Sequence, residues 1–91
     1  MALYTISYDL SNPGRDYESI SNAIKNYGFW WHQTGSVWII SATNTNTVQI
    51  RDYLKQFIDI NDKIFIARLS GEWAAHGFTQ KEYDWIKSQN A

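Results

Sequence analysis

The chain opens on a strict alternation. Over residues 3–9, Tyr4, Ile6 and Tyr8 fall on one side of an extended strand and Leu3, Thr5, Ser7 and Asp9 on the other. Ser11, Asn12, Pro13 and Gly14 then spell a turn. The period changes to a helical one over residues 16–27, with apolar Tyr17, Ile20, Ala23, Ile24 and Tyr27, acidic Asp16 and Glu18 at the start, and Gly28 where a helix would stop. Residues 29–33 and 36–41 are aromatic and β-branched, split by Thr34 and Gly35, which predicts a hairpin or one bulged strand. After a polar stretch, Val48, Ile50, Tyr53, Leu54 and Phe57 predict a second helix. Asp59, Ile60, Asn61 and Asp62 read as a turn, and KIFIARL, residues 63–69, as a strand. Residues 70–77 are irregular. Thr79 followed by Glu82 has capping-box spacing and predicts a helix over residues 80–88.

The resulting order, strand-helix-strand-strand-helix-strand plus a terminal helix, predicts an α+β fold. It is the ferredoxin-like βαββαβ arrangement, an antiparallel sheet with two helices on one face. Residues 1–91 read as a single domain, with a core over about residues 3–70 and a C-terminal extension over 71–91. The second face of such a sheet must meet solvent, the terminal helix, a ligand or a second copy. Trp38, Ile40 and Leu3 are expected there, so a homodimer is expected. Trp73, Phe78 and Trp85 are expected to pin the terminal helix to the body.

Composition narrows the chemistry. Net charge is −1, which does not favour bulk capture of long duplex DNA. Cysteine is absent, removing disulfides, thiol nucleophiles and thiolate zinc sites. No apolar run approaches about 18 residues and no charged leader precedes an apolar stretch, so neither a membrane span nor a signal peptide is expected, and the cytoplasm is the expected compartment.

Asp9 at the end of the first strand reads either as a turn-starter or as a metal or phosphate site. Ser7 and Ser36 lack an evident base and read as strand hydroxyls. His32 and His76 read as hydrogen-bonded structural residues before general bases. Arg15 and Arg68 can meet phosphate or stay solvated. Asp59 and Asp62 lack the spacing of a calcium loop. Aromatics are 16% of the chain, with five Trp. Trp30, Trp31 and Trp38 read mainly as core and interface packing, with one or two at a rim able to stack a base.

YDL closing the first strand, Arg15 a turn later, Gly28 after the first helix, Gln33 before Ser36, Val37 and Trp38, and IDINDKIFIARL after the second helix form one pattern. It resembles the small CRISPR-associated adaptation protein, the second universal CRISPR protein, and the related virulence-associated protein D ribonucleases, over roughly residues 3–70. The resemblance implies a ferredoxin-like dimer whose sheets meet across a two-fold axis, with Asp9 matching the family aspartate near that axis. Ser36 matches the serine opening the third strand, and Trp38 an aromatic position usually held by Phe. It implies RNA or small-nucleotide handling, with Mg2+ or Mn2+ as cofactor in the members that cleave. The endoribonuclease reading stands beside that of a non-catalytic dimer that binds nucleotide signals or inhibits a partner. The family's C-terminal strand, which docks its integrase partner, is replaced here by residues 72–78 and a helix, so that partner is not expected.

Overall fold

The computed structural model describes residues 2–10 and 17–89. The elements are β1 (Ala2–Asp9), α1 (Glu18–Lys25), β2 (Phe29–Thr34), β3 (Val37–Ala42), α2 (Thr47–Leu54) with a 3-10 turn over Lys55–Phe57, β4 (Lys63–Leu69) and α3 (Gln80–Gln89). The strands form one four-stranded sheet in the order β2-β3-β1-β4, every neighbouring pair antiparallel. With α1 joining β1 to β2 and α2 joining β3 to β4, this is the expected ferredoxin-like arrangement. The expected turn at residues 11–14, with Arg15 and Asp16, lies outside the described residues. Among those described, no helix is long and apolar enough to cross a membrane.

Local signals place the boundaries. Gly28 takes φ +90 between α1 and β2, a conformation L side chains rarely adopt, and its N–H closes on the Lys25 carbonyl at 3.0 Å. Asn46 caps α2, its Oδ1 accepting the Gln49 N–H at 2.9 Å. The Thr79 and Glu82 pair forms a reciprocal capping box. The Glu82 carboxylate accepts the Thr79 N–H at 3.0 Å, and Thr79 Oγ1 accepts the Glu82 N–H at 3.3 Å. In the hairpin, the chain turns at Gly35 and Ser36, so β3 begins at Val37 and Ser36 belongs to the turn. The ladder shifts register between Trp31 and Thr34, the one place where β2 bulges against β3.

The central strand divides the core in two. Tyr4, Ile6 and Tyr8 face the helices and pack with Ile20, Ala23, Ile24, Ile50 and Leu54. Leu3 faces the other way and packs with Trp31, Ile39 and Ile86, with Leu69, Trp73, Phe78 and Trp85 against them. The expected pinning of α3 by Trp73, Phe78 and Trp85 is therefore found.

The placement of Trp38 and Ile40 is corrected. Cross-strand partners share a face, and Ile6 pairs with Trp38 and Tyr4 with Ile40. Both belong to the helix-covered core, at 1% and 0% exposure. Leu3 does lie on the second face, but α3 covers it.

Two stability predictions follow from this packing. Trp38 is buried and its Nε1–H donates to the Tyr8 hydroxyl at 3.3 Å, so Trp38→Ala should cost about 3–5 kcal/mol, read by urea unfolding. Tyr27 stands edge-on to Tyr53, ring centroids 5.8 Å apart. Burial, and then the charge of Tyr53, hold its hydroxyl pKa above the ordinary 10.0. The folded state thus keeps this proton longer than the unfolded chain. Its contribution is complete below pH 10.0 and is lost as pH rises through the folded value. Unfolding midpoints followed up to about pH 11 should fall less steeply in Tyr27→Phe than in wild type.

Candidate functional site

Strand β1 delivers Asp9, exposed, at the end of the sheet's second face. Across the ladder, Asp9 pairs with Lys63 of β4, and Ser7 pairs with Phe65 of β4 and Val37 of β3. Ser7, Tyr8, Asp9, Lys63, Ile64 and Phe65 line a shallow depression of about 300 Å3. Phe65 is 69% exposed, unusual for so large an apolar side chain. The Tyr8 N–H donates to the Ser36 carbonyl at 3.2 Å, which places the β2–β3 turn at the same end of the sheet. The fold therefore brings Ser7, Asp9 and Ser36 to one end. Lys63 and Phe65, which complete that surface, were missed by sequence reasoning. Only the antiparallel register of β1 against β4 reveals them.

Among the described residues no group of three or more His, Cys, Asp or Glu stands close enough to hold a metal. Hard cations such as Mg2+ take several oxygen ligands, typically with one or two carboxylates. Among the described residues the depression carries one carboxylate, Asp9, beside Lys63, too few ligands for a resident ion from a single copy. Two copies meeting at Asp9 would double the carboxylates.

The other sequence candidates separate. Trp38 is core, with no surface for a ligand. The His32 ring stacks on Trp38 with centroids 3.8 Å apart, and its Nε2–H donates to the Gly35 carbonyl at 2.6 Å. That ring is committed to locking the hairpin. Arg68 is exposed opposite Tyr4, on the helix face of β4. Five residues of strand, about 17 Å, separate it from the Asp9 end, so the two do not form one site. His76 is exposed in the 70–79 segment. Arg15 falls outside the described residues.

Trp30 and Trp31 occupy opposite faces of the edge strand β2. Trp30 is 41% exposed, with Lys25 Nζ 5.1 Å from its ring centroid and the Trp38 ring at 5.3 Å. Trp31 is 7% exposed and meets Phe78 edge-on at 5.1 Å. Its Nε1–H is buried without a hydrogen-bond partner among the described residues. Along this edge runs a groove of about 290 Å3, walled by Trp30, Trp31, His32 and Gln33 of β2 and by Thr79, Lys81, Glu82 and Trp85. Gln33, Lys81 and Trp85 were not anticipated as neighbours of the tryptophans. Their proximity depends on how α3 docks.

The family model described as CRISPR associated protein Cas2 matches residues 1–76, the whole sheet and both of its helices, and ends before α3. With that match over most of the chain, and the ferredoxin-like sheet carrying Asp9 at the end of β1, the protein belongs to the Cas2 family of CRISPR-associated proteins and has a CRISPR-associated, nucleic-acid-related function.

Proposed function

We propose that two copies of the chain pair through the uncovered half of the sheet's second face, bringing their Asp9 residues together in a site that cleaves RNA phosphodiesters. The carrying observation is that Asp9, Ser7 and the largely exposed Phe65 share the part of that face α3 leaves open. Phe65 supplies apolar surface that pairing would bury, and such surface is uncommon on a monomer's exterior when it extends into a patch. Each copy contributes Asp9 as an oxygen donor and Lys63 as a cation able to hold a phosphate beside it. Mg2+ or Mn2+ bound between the two carboxylates would supply Lewis-acid polarisation of a phosphoryl oxygen. α3, which lies beyond the family match, folds onto the chain's own sheet, and this supports action without the integrase partner.

A second reading is favoured by one observation. Among the described residues the depression carries a single carboxylate, Asp9, and the His32 Nε2–H is engaged by the Gly35 carbonyl. A dimer that binds or sequesters small nucleotides, or inhibits a partner, needs neither group.

Light scattering should report a dimer at micromolar concentration, and a monomer there would defeat the pairing. With Mg2+ or Mn2+ present, wild type should cleave single-stranded RNA. Asp9→Asn should lower that rate about 100-fold or more, the scale of loss when a charge-stabilising group leaves a site. The near-isosteric substitution should keep the dimer. Full activity in Asp9→Asn would remove Asp9 from the chemistry, and a wild type inactive on every substrate would leave the binding reading in its place.

A further inference from the structure

We propose that the groove between the edge strand β2 and helix α3 is a second site, taking the base of a single-stranded nucleic acid or free nucleotide. The proposal rests on the nucleic-acid reading above, but it concerns different residues. At about 290 Å3 the groove lies at the small end of ligand pockets, enough for one planar group and too narrow for a duplex. It is lined by three tryptophans, Trp30, Trp31 and Trp85, and by Gln33 and Lys81 among its polar residues. Indole faces stack any base, while an amide and a cation suit a base edge and a phosphate. Lys25, 5.1 Å from the Trp30 ring centroid, adds positive charge at the same edge.

Two further observations point to a polar, planar occupant. The Nε1–H of Trp31, a residue that lines the groove, is buried with no hydrogen-bond partner among the described residues, and native proteins seldom leave such a donor unpaired. β2 is also an edge strand, pairing only with β3, so its outward backbone groups are not used in the sheet. An aliphatic ligand would waste Gln33, Lys81 and both sets of donors. The overall charge of −1 means that affinity must come from stacking and local contacts.

The test uses the full chain, labelled with 15N, in EDTA, titrated with UMP, AMP and a five-nucleotide oligouridine. The five indole N–H signals are assigned by substitution. Signals of Trp30, Trp31 and Trp85 should shift on titration while that of buried Trp38 stays in place. Affinity should fall about tenfold in Trp30→Ala, the loss expected for one stacking partner. Lys81→Glu and Gln33→Ala, both at exposed positions, should also weaken binding and provide the test if Trp30→Ala melts early. Shifts with mononucleotides identify a free nucleotide as ligand; shifts with the oligonucleotide alone identify a strand. Unchanged affinity in all three variants overturns the proposal. So does the absence of indole shifts, or a response to an extended peptide with none to nucleotides. Because the readout is binding without metal, its failure is separate from a failure of Asp9-dependent cleavage.

Discussion

Every functional assignment in this protein depends on the two-residue period of β1. The strand is flanked on both sides, by β3 and by β4, so its pleat fixes the facing of its neighbours as well as its own. Tyr4, Ile6 and Tyr8 commit Trp38 and Ile40 to the helix side, while Asp9 is committed, with Leu3, Thr5 and Ser7, to the opposite one. A slip of one residue would bury the Asp9 carboxylate under the helices and expose Ile6. Burying an unpaired carboxylate is strongly unfavourable, so the register that stabilises the core is also the one that leaves Asp9 at the surface.

The second face is divided by α3. Ile86, Trp85, Phe78 and Trp73 close over Leu3, Trp31 and Ile39. The Asp9 end, with Ser7, Lys63 and Phe65, stays open. This division accounts for the aromatic load of so short a chain. A small domain buries a modest fraction of its surface, and here a ten-residue helix, held by a capping box at its start, supplies a second apolar layer. The same docking creates the β2 groove, whose far wall exists only because α3 lies there.

Most of the fold was legible because its signals are local. The strand at residues 63–69, the capping box at Thr79 and Glu82, and the stop at Gly28 each follow from a few neighbouring residues, and the structure reproduces them. What was misread depends on pairing between distant segments. Trp38 was expected on the second face because its own strand, VWIISA, is apolar at nearly every position and shows no alternation to orient it. Only its pairing with Ile6 assigns it a face. Lys63 and Phe65 escaped for the same reason, since they lie more than fifty residues from Asp9 and Ser7 in sequence and become neighbours only through the β1–β4 register.

Charge and geometry together constrain how nucleic acid can be engaged. A chain of net charge −1 cannot rely on counterion release along a phosphate backbone, which dominates the affinity of basic nucleic-acid binders. Among the described residues the cations near the two surfaces are few: Lys63 beside Asp9, and Lys25 and Lys81 near the β2 groove. At the groove, stacking on indoles is the remaining large term, and stacking itself releases no counterions. It also requires an unpaired base, because bases inside a duplex already stack on one another. For the groove this points to single-stranded or mononucleotide ligands, and salt dependence there should be shallow. A steep fall in groove affinity with salt would point instead to a phosphate-tracking surface, which the charges of the described residues there are too few to build.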